Sequence, residues 1–166
     1  MTNARETRFA KRRAVVVGIN DYQDGNNHLP SCINDVKAFE KILREDYAFE
    51  EIGRLVDSEA TVAGVTAALQ RLVADASPDD RLVFFFSGHG STELRNGVAE
   101  QCMVLYDGYL FDDELSQMTQ SLPPGIFTLV ADCCLSGGLE KTLADAGVSG
   151  RWRRQSCARQ SLHSCN

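Results

Sequence analysis

With 166 residues, 43% of them hydrophobic, and a net charge of −6, the chain is long enough to bury the core of one domain. No apolar run reaches membrane-spanning length and no leader-like apolar stretch follows Met1, so neither a membrane-spanning nor a leader-bearing chain is expected, and a cytoplasmic one is. Residues 14–150 hold 8 basic against 22 acidic side chains, a net of −14, which disfavours nucleic acid and suits cationic substrates or a divalent metal, unless it serves solubility alone.

Residues 1–12 are polar and basic and read as an N-terminal arm. Ala14 to Ile19 is an unbroken apolar run, the signature of a strand buried on both faces. Asn20 to Pro30 is a turn-rich loop. From Cys32 to about Asp46, Ile33, Val36, Phe39 and Leu43 recur at helical spacing. Leu55-Val56 marks a short second strand. Thr61 is placed to cap a helix with Val62, Val65, Leu69 and Leu72 on one face. A turn at Ser77 to Asp80 leads into the apolar run Leu82 to Phe86. Glu100 to Tyr106 reads as a short strand in a hairpin beside the sheet, and Asp112 as the cap of a helix carrying Leu115, Met118 and Leu122. Pro123-Pro124-Gly125 ends that helix, and Ile126 to Ala131 forms the next strand. Residues 13–149 thus read as one α/β domain with a mainly parallel sheet and helices on both faces. Residues 150–166, rich in Arg, Ser and Gln without periodicity, read as a basic tail.

Two apolar strands open into glycine-flanked reactive side chains. Ser87-Gly88-His89-Gly90 follows the first, and Asp132-Cys133-Cys134-Leu135-Ser136-Gly137-Gly138 the second. A thiol with a pKa of about 8.5 is mostly protonated at neutral pH, and a nearby imidazole can take its proton. The same imidazole can then protonate a leaving amine. Flanking glycines let the backbone approach a substrate, which makes the N–H groups of Gly90 and Cys134 candidate oxyanion donors. The alternative is a buried structural thiol and a hydrogen-bonded loop histidine. Placement of both at strand ends of a parallel sheet, where ligands bind, favours the reactive pair His89 and Cys134. The chain has six cysteines and no secretory leader, so a disulfide framework is not expected. Adjacent Cys133 and Cys134 would face opposite ways on a continued strand and so differ in role. No spacing suggests structural zinc, and no Gly-x-Ser-x-Gly or His-Glu-x-x-His motif supports a serine or zinc hydrolase.

These motifs occur in order with Val16-Val17-Gly18-Ile19-Asn20, Leu29-Pro30-Ser31-Cys32-Ile33-Asn34-Asp35-Val36, Tyr106-Asp107-Gly108 and Asp112-Asp113-Glu114-Leu115. Together they resemble the caspase-like cysteine peptidases, in the metacaspase and bacterial orthocaspase branch. The resemblance covers about residues 13–140, the large-subunit region, and the 45 residues from His89 to Cys134 suit it. It implies a caspase-like three-layer α/β sandwich and an endopeptidase with His89 as base and Cys134 as nucleophile. It also implies cleavage after Arg or Lys, with an acidic specificity pocket at Cys32, Asp35, Ser87 and Asp132. Two partly desolvated carboxylates suit a guanidinium. The chemistry needs no cofactor, but the resemblance adds calcium as an activator, with Asp107, Asp112 and Asp113 as ligands. The alternative is that Asp112 and Asp113 serve only a helix N-terminus. A further acidic ligand after the nucleophile has no clear match, since Lys141 with Glu140 stands there.

Two departures stand out. Leu135 follows the nucleophile where metacaspases usually have His, and no apolar strand after Gly150 supplies a small-subunit region. A small-subunit chain or a second copy is therefore an expected partner, along with Arg- or Lys-containing protein substrates, and an arginine of the tail could mark self-processing. The competing expectation is a non-catalytic caspase-like module that binds a partner chain.

Overall fold

The computed structural model describes residues 10–25 and 27–133. Four strands, β1 (Arg12–Gly18), β2 (Glu51–Val56), β3 (Arg81–Ser87) and β7 (Phe127–Asp132), form an all-parallel sheet in the order β2-β1-β3-β7. Helix α1 (Cys32–Glu45) crosses from β1 to β2, and α2 (Val62–Val73) from β2 to β3. Between β3 and β7 lie a small antiparallel sheet of β4 (Gly90–Arg95), β5 (Val98–Val104) and β6 (Tyr109–Phe111), and helix α3 (Asp112–Thr119).

Strand alternation sorts the core into two sides. Val15, Val17, Phe84 and Phe86 meet Val65 and Leu69 of α2 and Leu115 of α3. Val16, Val83 and Phe85 meet Val36 and Leu43 of α1 on the opposite face. Helices therefore cover both faces, and the sheet is the middle of three layers. Phe84 and Phe86 are fully buried, each stabilising the fold by about 1.5–3 kcal/mol relative to exposure. No helix among the described residues is long and apolar enough to cross a membrane.

Most elements follow the sequence reading. Thr61 caps α2, its Oγ1 accepting the Gly64 N–H at 3.1 Å. Two readings need correction, and a third is completed. β2 begins at Glu51 rather than Leu55, because Glu51, Gly53 and Arg54 lie exposed on an edge strand that needs no apolar run. The strand read at Glu100 to Tyr106 is β5, and it runs between two partners, β4 and β6, that carry little apolar periodicity. Asn96 and Gly97, at φ of 54° and 81°, make the tight β4–β5 turn, the left-handed pair that a two-residue hairpin requires. Finally, Phe111 is the N-cap of α3, Asp112 is its first residue, and the helix stops at Thr119, short of Leu122.

Candidate active site

Parallel pairing aligns the C-terminal ends of β1, β3 and β7. Gly18 stands opposite Ser87, and Ser87 opposite Asp132. The start of α1 sits against the same end of the sheet because residue 18 has no side chain. A Cβ there would lie 2.6 Å from Val36 Cγ2 and 2.8 Å from the Cys32 carbonyl oxygen. Glycine at 18 is thus what lets α1 bring Cys32 and Asp35 up to Ser87.

The four residues expected to line the acidic pocket come together. Ser87, buried, donates its hydroxyl to Asp35 Oδ2 at 3.3 Å. The Cys32 thiol, also buried, is raised above its ordinary pKa by burial first, then by the charges of Asp35 and Asp132, while a hydrogen bond with Ser87 opposes the shift. Both carboxylates therefore act on one small volume. Neither has a cationic partner among the described residues.

His89 stands just beyond Ser87 and Gly88, half-exposed. Its Nε2 lies 3.0 Å from the carbonyl oxygen of Asn27. A carbonyl only accepts, so Nε2 carries the proton in this contact and the lone pair of the neutral ring sits on Nδ1. The His89 backbone N–H donates to the Tyr22 hydroxyl at 2.7 Å, and its carbonyl accepts from Val104 N–H at 2.9 Å. Gly90 opens β4 and, with His89, Tyr22, Asn27, Glu93 and Tyr106, walls an open cleft of about 690 Å³. The contacts of Tyr22 and Asn27 were not foreseen from the sequence. A lone aromatic in a polar loop was the only signal for Tyr22, and a backbone carbonyl leaves none. Cys134, expected as nucleophile and second oxyanion donor, lies outside the described residues, as do residues 134–166 and with them Glu140, Lys141 and the tail.

Cys133 is described, and its thiol is unsuited to attack. It is half-buried against the larger core cluster. Burial, followed by the charges of Asp132 and Cys102, pushes its pKa from 9.0 up to about 12. Because the folded state holds this proton more tightly than the unfolded chain, its contribution to stability is full below about pH 9 and is lost as pH rises toward 12. Urea midpoints should therefore fall between pH 8 and pH 10.5, and Cys133→Ala should flatten that fall. An equal fall in the variant would assign the alkaline loss to other groups.

The acidic segment is engaged elsewhere. Asp107 Oδ1 accepts the Val62 N–H at 2.7 Å, capping α2 from across the molecule. Asp112 Oδ1 accepts the Asp113 N–H at 2.8 Å. Asp113 pairs with the Arg95 guanidinium at 2.9 Å, joined by Glu114 at 3.2 Å and Glu100 at 3.4 Å, and that guanidinium lies 4.7 Å from the centre of the Phe111 ring. Among the described residues no three His, Cys, Asp or Glu side chains are grouped to hold a metal. In this arrangement Asp107 and Asp112 accept backbone N–H groups, and Arg95 supplies the cation at Asp113.

Residues 12–142 match the family described as metacaspase, peptidase C14 domain. Metacaspase-1A of Aspergillus clavatus is 38% identical over 146 residues, covering 76% of this chain and 34% of its own length. Metacaspase-1 of Schizosaccharomyces pombe is 33% identical over 147 residues, covering 77% of this chain and 34% of its own. The chain thus spans about a third of the length of these relatives. Among solved structures, protein GSU0716 of Geobacter sulfurreducens superposes with a TM-score of 0.69 at 23% identity, covering 87% of this chain and 58% of that one. Caspase-1 of Spodoptera frugiperda gives 0.54 at 13% identity, over 74% and 47%. At those identities the likeness is one of fold, and the fold is the caspase-like α/β sandwich.

Proposed function

The chain belongs to the metacaspase family of C14 peptidases, and from that premise we propose that it is a cysteine endopeptidase cleaving after arginine or lysine. The observation that carries this reading is the pair Asp35 and Asp132 around buried Ser87, without a cationic partner among the described residues and beside His89. A guanidinium entering there gains two charge-assisted contacts, where a carboxylate side chain would be repelled.

In this mechanism Cys134 Sγ gives its proton to His89 Nδ1, whose tautomer the Asn27 carbonyl holds. The thiolate attacks the carbonyl carbon after the basic residue, and the N–H groups of Gly90 and Cys134 take the oxyanion. The C–N bond then breaks, and His89 passes its proton to the departing amine. Water attacks the resulting thioester, giving a proton to His89. The C–S bond then breaks, His89 returns the proton to the Cys134 sulfur, and the acid product departs, leaving the enzyme as it began. Self-processing at an arginine of the tail follows from the same specificity. No step runs through calcium.

An arginyl fluorogenic peptide, incubated with the chain and with its Cys134→Ala variant, tests the reading. Release blocked by iodoacetamide and lost in the variant is the expected result, and a parallel incubation with millimolar calcium tests the activator expected at Asp107, Asp112 and Asp113. Release surviving in the variant would remove Cys134 from its role. No release from folded parent protein would favour a non-catalytic module that binds a partner.

A further inference from the structure

We propose that Tyr22 is a positioning residue that sets the place and facing of the His89 imidazole, an inference that rests on the peptidase reading above. Both fastenings of His89 on this side come from the loop after β1. The hydroxyl of Tyr22 takes the His89 backbone N–H at 2.7 Å, and the Asn27 carbonyl faces Nε2 at 3.0 Å. The Tyr22 ring also lies against the imidazole, with centroids 5.1 Å apart and planes tilted by 40°. One edge and one face of the imidazole are thereby engaged, and Nδ1 is left for the thiol.

The fit around Tyr22 is close. Its side chain is only 7% exposed. A Cβ on residue 88 would stand 2.7 Å from the Tyr22 hydroxyl and 2.8 Å from Phe86 Cζ, so Gly88 is what admits the contact. Burial raises the phenol well above its ordinary 10.0, which keeps it neutral at every working pH.

The loop that carries Tyr22 is itself tied down. Asp57 Oδ1 accepts the N–H groups of Asn20 at 2.8 Å and Asp21 at 3.0 Å. Asn20 in turn accepts from Leu29 N–H at its carbonyl and from Ile33 N–H at its side chain. Tyr22 therefore stands on a fixed post rather than drifting with His89. Its hydroxyl decides whether the His89 N–H is paired at the mouth of the site.

Proton transfer needs heavy atoms within about 2.6–3.2 Å, so a small displacement of the ring lowers the rate. The acidic pocket does not depend on this contact. Tyr22→Phe, which keeps the ring and removes the bond, should lower kcat for an arginyl reporter about tenfold, with KM unchanged. A second readout avoids substrate altogether. The pH profile of Cys134 alkylation by iodoacetamide, read by mass spectrometry on the full chain, reports how well His89 supports the thiolate. In the parent this profile should sit below that of an ordinary thiol, and in Tyr22→Phe it should move up toward it. An unchanged kcat and an unchanged profile in the variant would overturn the inference while leaving the peptidase intact. So would rates that fall only in proportion to a lowered thermal midpoint. An ordinary profile in the parent, with no reporter cleavage, would remove the dyad and this inference with it.

Discussion

Alanine at position 89 should lower kcat/KM for an arginyl reporter by about 10²–10⁴-fold, the usual worth of a positioned acid–base group. The imidazole is asked to serve twice, once to take the thiol proton and once to protonate the leaving amine. Among its neighbours, Asp35 is bonded to Ser87, Glu93 accepts from the Ser91 hydroxyl, and Tyr22 is held neutral. The fold should tolerate the change. His89 is half-exposed, and the backbone bonds to Tyr22 and Val104 do not need its ring. A loss of under about 0.5 kcal/mol, or about 2 °C in a chain of this size, is expected by calorimetry. Folded His89→Ala protein that keeps a tenth of the parent rate would dismiss His89 as the base.

Asp132→Ala is the second large effect, and it acts on selectivity. The carboxylate is half-buried at the end of β7, in register with Ser87, and its charge raises the Cys32 and Cys133 thiols. Removing one partner from a desolvated charge pair costs about 2–5 kcal/mol. Cleavage after arginine should therefore fall by roughly 30- to 5000-fold. With the charge gone, the Cys133 pKa should drop from about 12 toward its ordinary value, although burial remains its larger cause. Adding Asp35→Ala should cost less than its single effect, because both carboxylates serve one guanidinium. Competition between paired peptides ending in arginine and in norleucine reads the selectivity directly. An unchanged ratio would show that the basic residue binds elsewhere.

The sequence displayed the central sheet because a parallel sheet covered on both faces needs unbroken apolar runs, and β1, β3 and β7 have them. It hid β2, half of whose residues face water, and it hid the partners of β5. The Asn96-Gly97 pair was a hairpin signal that outweighs the missing apolar alternation around it. For the site, glycine-flanked strand ends pointed to His89, and the pocket residues followed from the resemblance. The partners of the acidic segment were not legible along the chain. Asp112 and Asp113 look like unsatisfied ligands in one dimension, but the hairpin turn folds Arg95 back onto Asp113, Glu114 and Glu100. Tyr22 stayed silent because its value lies in a backbone N–H 67 residues away.

The strand order also sets a clock. His89 and Asp35 belong to the part of the sheet built from β1 and β3, while Asp132 arrives only with β7. Synthesis at about 5–20 residues per second takes roughly 2–9 s to pass from His89 to Cys134, 45 residues on. During those seconds the nascent chain holds the proposed base and half of the proposed pocket, without the proposed nucleophile. On the proposed function, cleavage would become possible only after β7, the C-terminal strand among the described residues, has been made.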